Sequence, residues 1–208
     1  MIIAVDGPTA SGKGTIASAL AAHYRLPMLD TGMLYRAVGR QVALNGGDAG
    51  NPADALAACA FSDDLLRNPA LRNEEVGGLA SRVSVHPGVR AALKQRQVDF
   101  ANQPGGAILD GRDIGTVIAP HADVKLFITA SAEIRAQRRY SEMQLRGLDV
   151  DYANILADIR ARDKRDQERA DAPLKAAADA ILLDTGNLTI GAAVQAAIAL
   201  VEDALARA

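Results

Sequence analysis

Ile2-Ile3-Ala4-Val5-Asp6-Gly7-Pro8-Thr9-Ala10-Ser11-Gly12-Lys13-Gly14-Thr15 is the stretch on which the reading of this chain turns. Its first residues form an apolar run ending in Asp, the pattern of a strand buried on both faces of a parallel sheet. A glycine, four residues and Gly-Lys follow, and a helical pattern runs from about Lys13 to His23. Glycines let the backbone turn so that successive N–H groups converge on phosphate oxygens. The helix N-terminus adds partial positive charge, and a lysine in this place reaches the β- and γ-phosphates of a nucleoside triphosphate. Gly7, Pro8, Thr9, Ala10, Ser11, Gly12, Lys13, Gly14 and Thr15 are therefore the candidate triphosphate-binding residues, with Lys13 also a catalytic candidate.

Outward from this loop, short apolar runs alternate with helical patterns. Strands are expected at Pro27–Asp30, Ala107–Asp110, Val124–Thr129 and Ala180–Asp184, and further helices at Gly32 to about Leu44 and Ile190 to Leu205. This predicts an α/β fold, a five-stranded parallel sheet flanked by helices. One domain is expected over 1–208, with its core in 1–44, 84–130 and 172–208. Residues 45–83, rich in turn residues, interrupt the alternation and are expected to form a short insertion whose structure is not legible. Residues 131–171 are long, charged and helical in pattern, and Gly147 divides them into two helices, the outline of a lid.

Composition excludes several classes. The 208 residues carry 23 basic and 25 acidic side chains, a formal net charge of −2, so bulk charge does not point to nucleic acid. The stretch 133–171 balances nine basic against nine acidic residues, which is not a basic patch. Hydrophobic residues make up 49%, ample for a core. Cys59 is the sole cysteine, so no internal disulfide forms, and a small buried hydrophobe is the expected role. His23, His86 and His121 have no metal-ligand spacing. No signal peptide or membrane span is expected, and the chain reads as a soluble cytoplasmic monomer. Of the basic residues 18 are Arg and five Lys, partly a matter of base composition, since there are 42 alanines.

The loop departs from the commonest form at Gly14, where Ser or Thr usually follows the lysine; the hydroxyl comes one residue later, on Thr15. With no Asn-Lys-x-Asp tetrapeptide in the chain, ATP is expected in preference to strict GTP. A phosphoryl donor needs an acceptor pocket in line with it. Leu29-Asp30-Thr31-Gly32-Met33-Leu34-Tyr35-Arg36 and Asp110-Gly111-Arg112-Asp113-Ile114-Gly115 follow strands and so lie at the sheet edge where ligands bind. Asp110 is placed to hold Mg2+ through water, with Thr15 as the other candidate metal ligand.

GPTASGKGT, LDTGMLYR, SRVSVHPGVR, LDGRDIGTV and RDKRDQERADAPL, in this order, resemble the bacterial cytidylate kinases, P-loop kinases of nucleoside monophosphates, from Ile2 to about Leu183. The resemblance implies transfer of the ATP γ-phosphate to CMP or dCMP with Mg2+. It implies that Arg36 and Arg112 grip the acceptor phosphate, with Thr31 in place of a family serine. Ser81, Arg90 and Asp113 match positions that read cytosine, Arg162 and Asp166 a pair that contacts the sugar, and Arg169 one that contacts phosphate. Arg138 and Arg139 are the lid arginines expected to reach the phosphoryl group. Phe61 to Val76 lacks the strand patterning of the insertion in longer family members. The rivals are a kinase of another small acceptor on the same fold and a P-loop regulator without an acceptor pocket.

Overall fold

The computed structural model describes residues 1–207. Strands β1 (Ile2–Asp6), β2 (Met28–Asp30), β3 (Ala107–Gly111), β4 (Val124–Thr129) and β5 (Ile181–Asp184) form one sheet in the order β2-β3-β1-β4-β5, every pair parallel. The expected five-stranded parallel sheet is thus present, with ends moved by a residue or so. Pro27 falls outside β2 because proline has no N–H for the ladder, yet its carbonyl still accepts Ile108 N at 2.9 Å.

Helices cover both faces. Helices α1 (Lys13–Tyr24) and α8 (Ile190–Leu205) bury Ile16, Leu20, Ala197 and Val201 against Ile3, Val5, Leu126 and Ile128. The other face packs Ala4 and Leu109 on Ala101, Ile114 and Ile118. β1 lies between β3 and β4; the chain crosses from β1 to β2 in one direction and from β3 to β4 in the other, which opens a crevice at the carboxyl edge. Register brings Asp6 opposite Gly111 and Asp30 opposite Asp110 at that edge.

The stretch 45–83 contains no strand. It holds α3 (Pro52–Ala57), two 3₁₀ turns (Asp63–Arg67 and Pro69–Arg72) and α4 (Glu74–Val83), followed by α5 (Pro87–Ala101). These pack on α2 (Thr31–Leu44) through Leu34, Val38, Val42, Val83, Val89 and Leu93. Helices α4 and α5 had local signals that the sequence reading did not use: acidic Glu74 and Glu75 in one first turn, and Pro87 at the start of the other. His86 is buried, with Nε2 2.9 Å from Ala49 O. Burial pushes the Cys59 thiol up, as suits an inert packing residue.

The segment expected to form a lid folds into two helices, α6 (Ala132–Leu145) and α7 (Tyr152–Glu168). Gly147, at φ +74°, lets Gly147 N bond Gln144 O and Leu148 N bond Met143 O, the paired closure that ends a helix sharply. Among the described residues no helix is long and apolar enough to cross a membrane.

Candidate active site

The loop after β1 is shaped by two glycines with no substitute. Gly7 has φ +154°, and a Cβ there would stand 2.1 Å from Ile128 O. Gly12 caps α1 at φ +89° without a side-chain cap, which leaves the first-turn N–H groups for a ligand. The unusual Gly14 also has a physical reason. A Cβ on it would meet Asp110 Oδ2 at 3.2 Å, so a larger residue would crowd the end of β3.

Lys13 Nζ lies 3.3 Å from Asp110 Oδ1; Asp110 is buried and the Lys13 side chain largely so. Burial lowers the Lys13 pKa, and Arg112 adds to that, while Asp110 opposes it. Burial likewise raises Asp110, with the Lys13 charge opposing. Asp110 Oδ1 has only this ion pair and no hydrogen bond, and the buried Ser11 Oγ has no partner. Thr31 Oγ1 donates to Asp110 O at 2.8 Å, which fixes the start of α2 against β3. No cluster of three or more Asp, Glu, His or Cys suited to a metal occurs among the described residues. That excludes an all-protein cage of carboxylates and imidazoles, yet it fits Mg2+, which keeps waters and takes one or two protein oxygens beside substrate phosphates. Thr15 and the under-bonded Asp110 are the residues present for it.

A cleft of about 1150 Å3 opens over the loop, between the lid helices and the segment from Thr185 to Ala193. Arg36, Arg138, Arg139 and Arg162 all line it. Arg36 Nη1 donates to Leu71 O at 2.7 Å and Asn73 O at 2.9 Å. Burial, then the Arg162 charge, lowers its pKa to about 10. The two guanidiniums converge at Gly77, where a Cβ would meet Arg36 Nη2 at 2.9 Å and Arg162 Nη2 at 3.1 Å. Arg162 is buried and Arg36 partly so, and two like charges drawn together favour an anion between them.

The two lid candidates are engaged with protein groups. Arg138 donates to Thr185 Oγ1 at 3.0 Å and Thr185 O at 2.5 Å. Arg139 pairs with Glu74 and with Glu142, the latter at 3.1 Å. Glu74, at the start of α4, also meets Arg162 at 3.3 Å and thus links the insertion to both lid helices. Nothing in the charge pattern of the chain singled it out.

Beyond β3 the structure gathers a second cluster. Asp113 bridges Arg90 Nη2 at 2.5 Å and Arg169 Nη2 at 3.3 Å, all three buried. Arg90 sits over the Tyr35 ring, 5.9 Å from its centroid, and reaches Asp171 at 3.1 Å. Arg112 Nε donates to Asp166 at 2.9 Å. The candidates Arg90, Asp113, Arg169 and Arg112, Asp166 are therefore joined in two groups. Ser81 is not joined to them by a hydrogen bond among the described residues; its hydroxyl accepts from Arg165 Nε at 3.0 Å. Arg165 and Tyr35 lie within the motifs quoted from the sequence but were passed over there.

Asp6, also passed over, fastens this cluster to the phosphate loop. Its Oδ1 accepts Ile114 N at 2.9 Å and its Oδ2 Gly115 N at 2.8 Å. Burial pushes this carboxyl up from 3.8 to about 7, against the two N–H groups and with help from Asp113 and Asp110. The raised pKa has a definite sign. Between about pH 4 and 7 the folded protein holds a proton that the unfolded chain has lost. The stability this group contributes therefore falls as pH rises through that window, by at most about 1.4 kcal/mol per unit. In urea unfolding, the free-energy difference between wild type and Asp6→Asn should shift by ~2 kcal/mol from pH 5 to 7, wild type losing ground. A difference constant with pH would contradict it.

The family model described as cytidylate kinase matches residues 3–203. A protein of Xanthobacter autotrophicus named cytidylate kinase is 57% identical over 202 residues, covering 97% of each chain. One of Caulobacter vibrioides with the same name is 53% identical over 207 residues, covering 99% of this chain and 97% of its own. A solved structure of an uncharacterized protein from Eubacterium ventriosum shares the fold at TM-score 0.58 and 17% identity, over 98% of each chain. With a family model and relatives above half identity spanning nearly its whole length, this chain belongs to the cytidylate kinase family.

Proposed function

We propose that this kinase holds ATP in the loop at 7–15 and reads the cytosine of CMP or dCMP with Asp113 and its arginines. Family membership makes the chain a phosphotransferase that phosphorylates CMP and dCMP with ATP as co-substrate. The observation that carries the site assignment is Asp113, a buried carboxylate between Arg90 and Arg169, tied by Asp6 to the strand that leads into the loop. Cytosine offers an amine beside acceptors at N3 and O2, which a carboxylate beside guanidiniums complements. Uracil would turn a carbonyl toward that carboxylate and leave buried acceptors unpaired.

Arg36 and Arg112 offer the acceptor phosphate guanidinium forks that lysine lacks, Arg162 and Asp166 are the pair for the sugar, and Arg169 adds a further phosphate contact. The insertion at about 45–83 supplies Glu74 and Ser81 and closes the acceptor side; the lid at about 131–171 closes the triphosphate side. Lys13 places positive charge on the transferred group, and its pair with Asp110 holds the ammonium until phosphate takes over. Lid closure would have to trade the Arg138 and Arg139 partners for phosphate oxygens while excluding water, which suppresses ATP hydrolysis. Thr15 and Asp110 would hold Mg2+, which would supply neutralisation of phosphate charge. Everything else is positioning and electrostatics, with no covalent intermediate.

An ADP-release assay with ATP and CMP, dCMP, UMP, AMP or shikimate tests the whole reading. CMP and dCMP should give the fastest turnover. A faster rate with another acceptor would overturn the cytosine assignment, and turnover with none would leave a nucleotide-binding regulator.

A further inference from the structure

Two carbonyl groups of the phosphate loop are held from outside it. Thr9 O accepts Arg135 Nη1 at 3.1 Å, and Ser11 O accepts Thr185 Oγ1 at 2.9 Å. Between them Ala10 stands at φ +59°, a left-handed conformation that a residue with a Cβ keeps only where its surroundings impose it. The Thr9–Ala10 peptide is trans, like every other among the described residues, so a carbonyl drawn to one side aims the following N–H to the other. Arg135 is buried and does not line the main cleft, whereas Thr9 and Ala10 do. The bond from Arg135 to Thr9 O thus turns the Ala10 N–H toward the cleft.

Arg135 is itself over-determined. Its Nε donates to Ala130 O at 2.9 Å, and Nη1 and Nη2 donate to Asp163 of α7 at 3.0 and 2.5 Å. This uses the guanidinium fork on three elements at once, which an ammonium cannot do. None of its contacts explains a role in closing the acceptor site, and no motif in the sequence marked it.

We infer that Arg135 is a positioning residue for the phosphate loop. It sets the Thr9–Ala10 peptide so that the Ala10 N–H meets the nucleotide phosphates, and it couples that orientation to the second lid helix through Asp163. The inference rests on the reading that this loop holds ATP.

The test is ADP binding by calorimetry together with kinetics in which ATP and CMP are varied separately. Arg135→Gln should weaken ADP about tenfold and raise the KM for ATP similarly, the scale of one charge-assisted hydrogen bond. The KM for CMP should stay within about twofold, a split that general loss of structure would not produce. Asp163→Asn, which leaves the bond to Thr9 in place, should weaken ADP by no more than about threefold. If thermal melting shows that Arg135→Gln does not fold, Arg135→Lys carries the same expectation. Wild-type ADP affinity in a folded Arg135 variant, or an equal rise in both KM values, would overturn the inference. Failure of the underlying reading looks different: wild type itself would bind no ADP, or Lys13→Ala would bind it unchanged.

Discussion

Lys13→Ala should lower kcat by roughly 100- to 1000-fold, the scale of losing one preorganised charge from a phosphoryl-transfer site. The reasoning begins with position. Lys13 is the first residue of α1, its side chain is largely buried, and its Nζ is 3.3 Å from Asp110 Oδ1 near the end of β3. Burial already lowers its pKa, so the ammonium sits where its charge is poorly screened and acts strongly on a neighbouring phosphate. Truncation leaves Asp110 without its ion pair, and burial, which raises that carboxyl, lowers the cost of neutralising it. The fold therefore survives better than the activity does. Coupled ADP release measures the effect, with circular dichroism to confirm folding. A folded variant within threefold of wild-type turnover would remove Lys13 from the mechanism.

Asp113→Ala should act on both stability and selectivity. The substitution leaves Arg90 and Arg169 buried with one anion fewer, and breaking a buried pair of this kind costs about 3–5 kcal/mol. Arg90 keeps Asp171 and the Tyr35 ring, so the lower end of that range is expected. Urea unfolding measures it. The CMP-over-UMP ratio of kcat/KM should narrow at least tenfold, because the carboxylate no longer penalises the uracil carbonyl. Asp113→Asn, which preserves shape and offers an amine donor to that carbonyl, should narrow it further and serves if the alanine variant does not fold. An unchanged ratio in either folded variant would show that Asp113 does not read the base.

Some of this was legible in the residues and some was not, for physical reasons. The buried strands β1, β3 and β4 announce themselves as unbroken apolar runs, and the more exposed edge strands β2 and β5 carry short runs of the same kind, so all five could be found with ends correct to a residue or so. Helices α4 and α5 were missed although their caps were visible. Their apolar residues Val83, Val89 and Leu93 cover α2 in a core separate from the sheet, and Val76 packs on Ala37 of α2 in another small cluster. The lid was outlined because Gly147 interrupts a charged helical pattern, and a turn at φ +74° favours glycine at that point.

The Arg-over-Lys excess shows where sequence stops. Charge balance across 133–171 gave no means of telling Arg135, buried behind the loop, from Arg160, an exposed partner of Glu133. Asp6 read as the polar end of a strand, and only the register of β1 against β3 places it under the backbone N–H groups of Ile114 and Gly115. Glu74 likewise acquires meaning only where α4 meets both lid helices.

The sequence by itself determined the parallel sheet, the phosphate loop and the motifs of the family, because each depends on local spacing and on backbone freedom at particular glycines. Tertiary structure alone decided which guanidinium faces which carboxylate. Those pairs join residues far apart in the chain, and their worth depends on burial that the chain acquires only on folding.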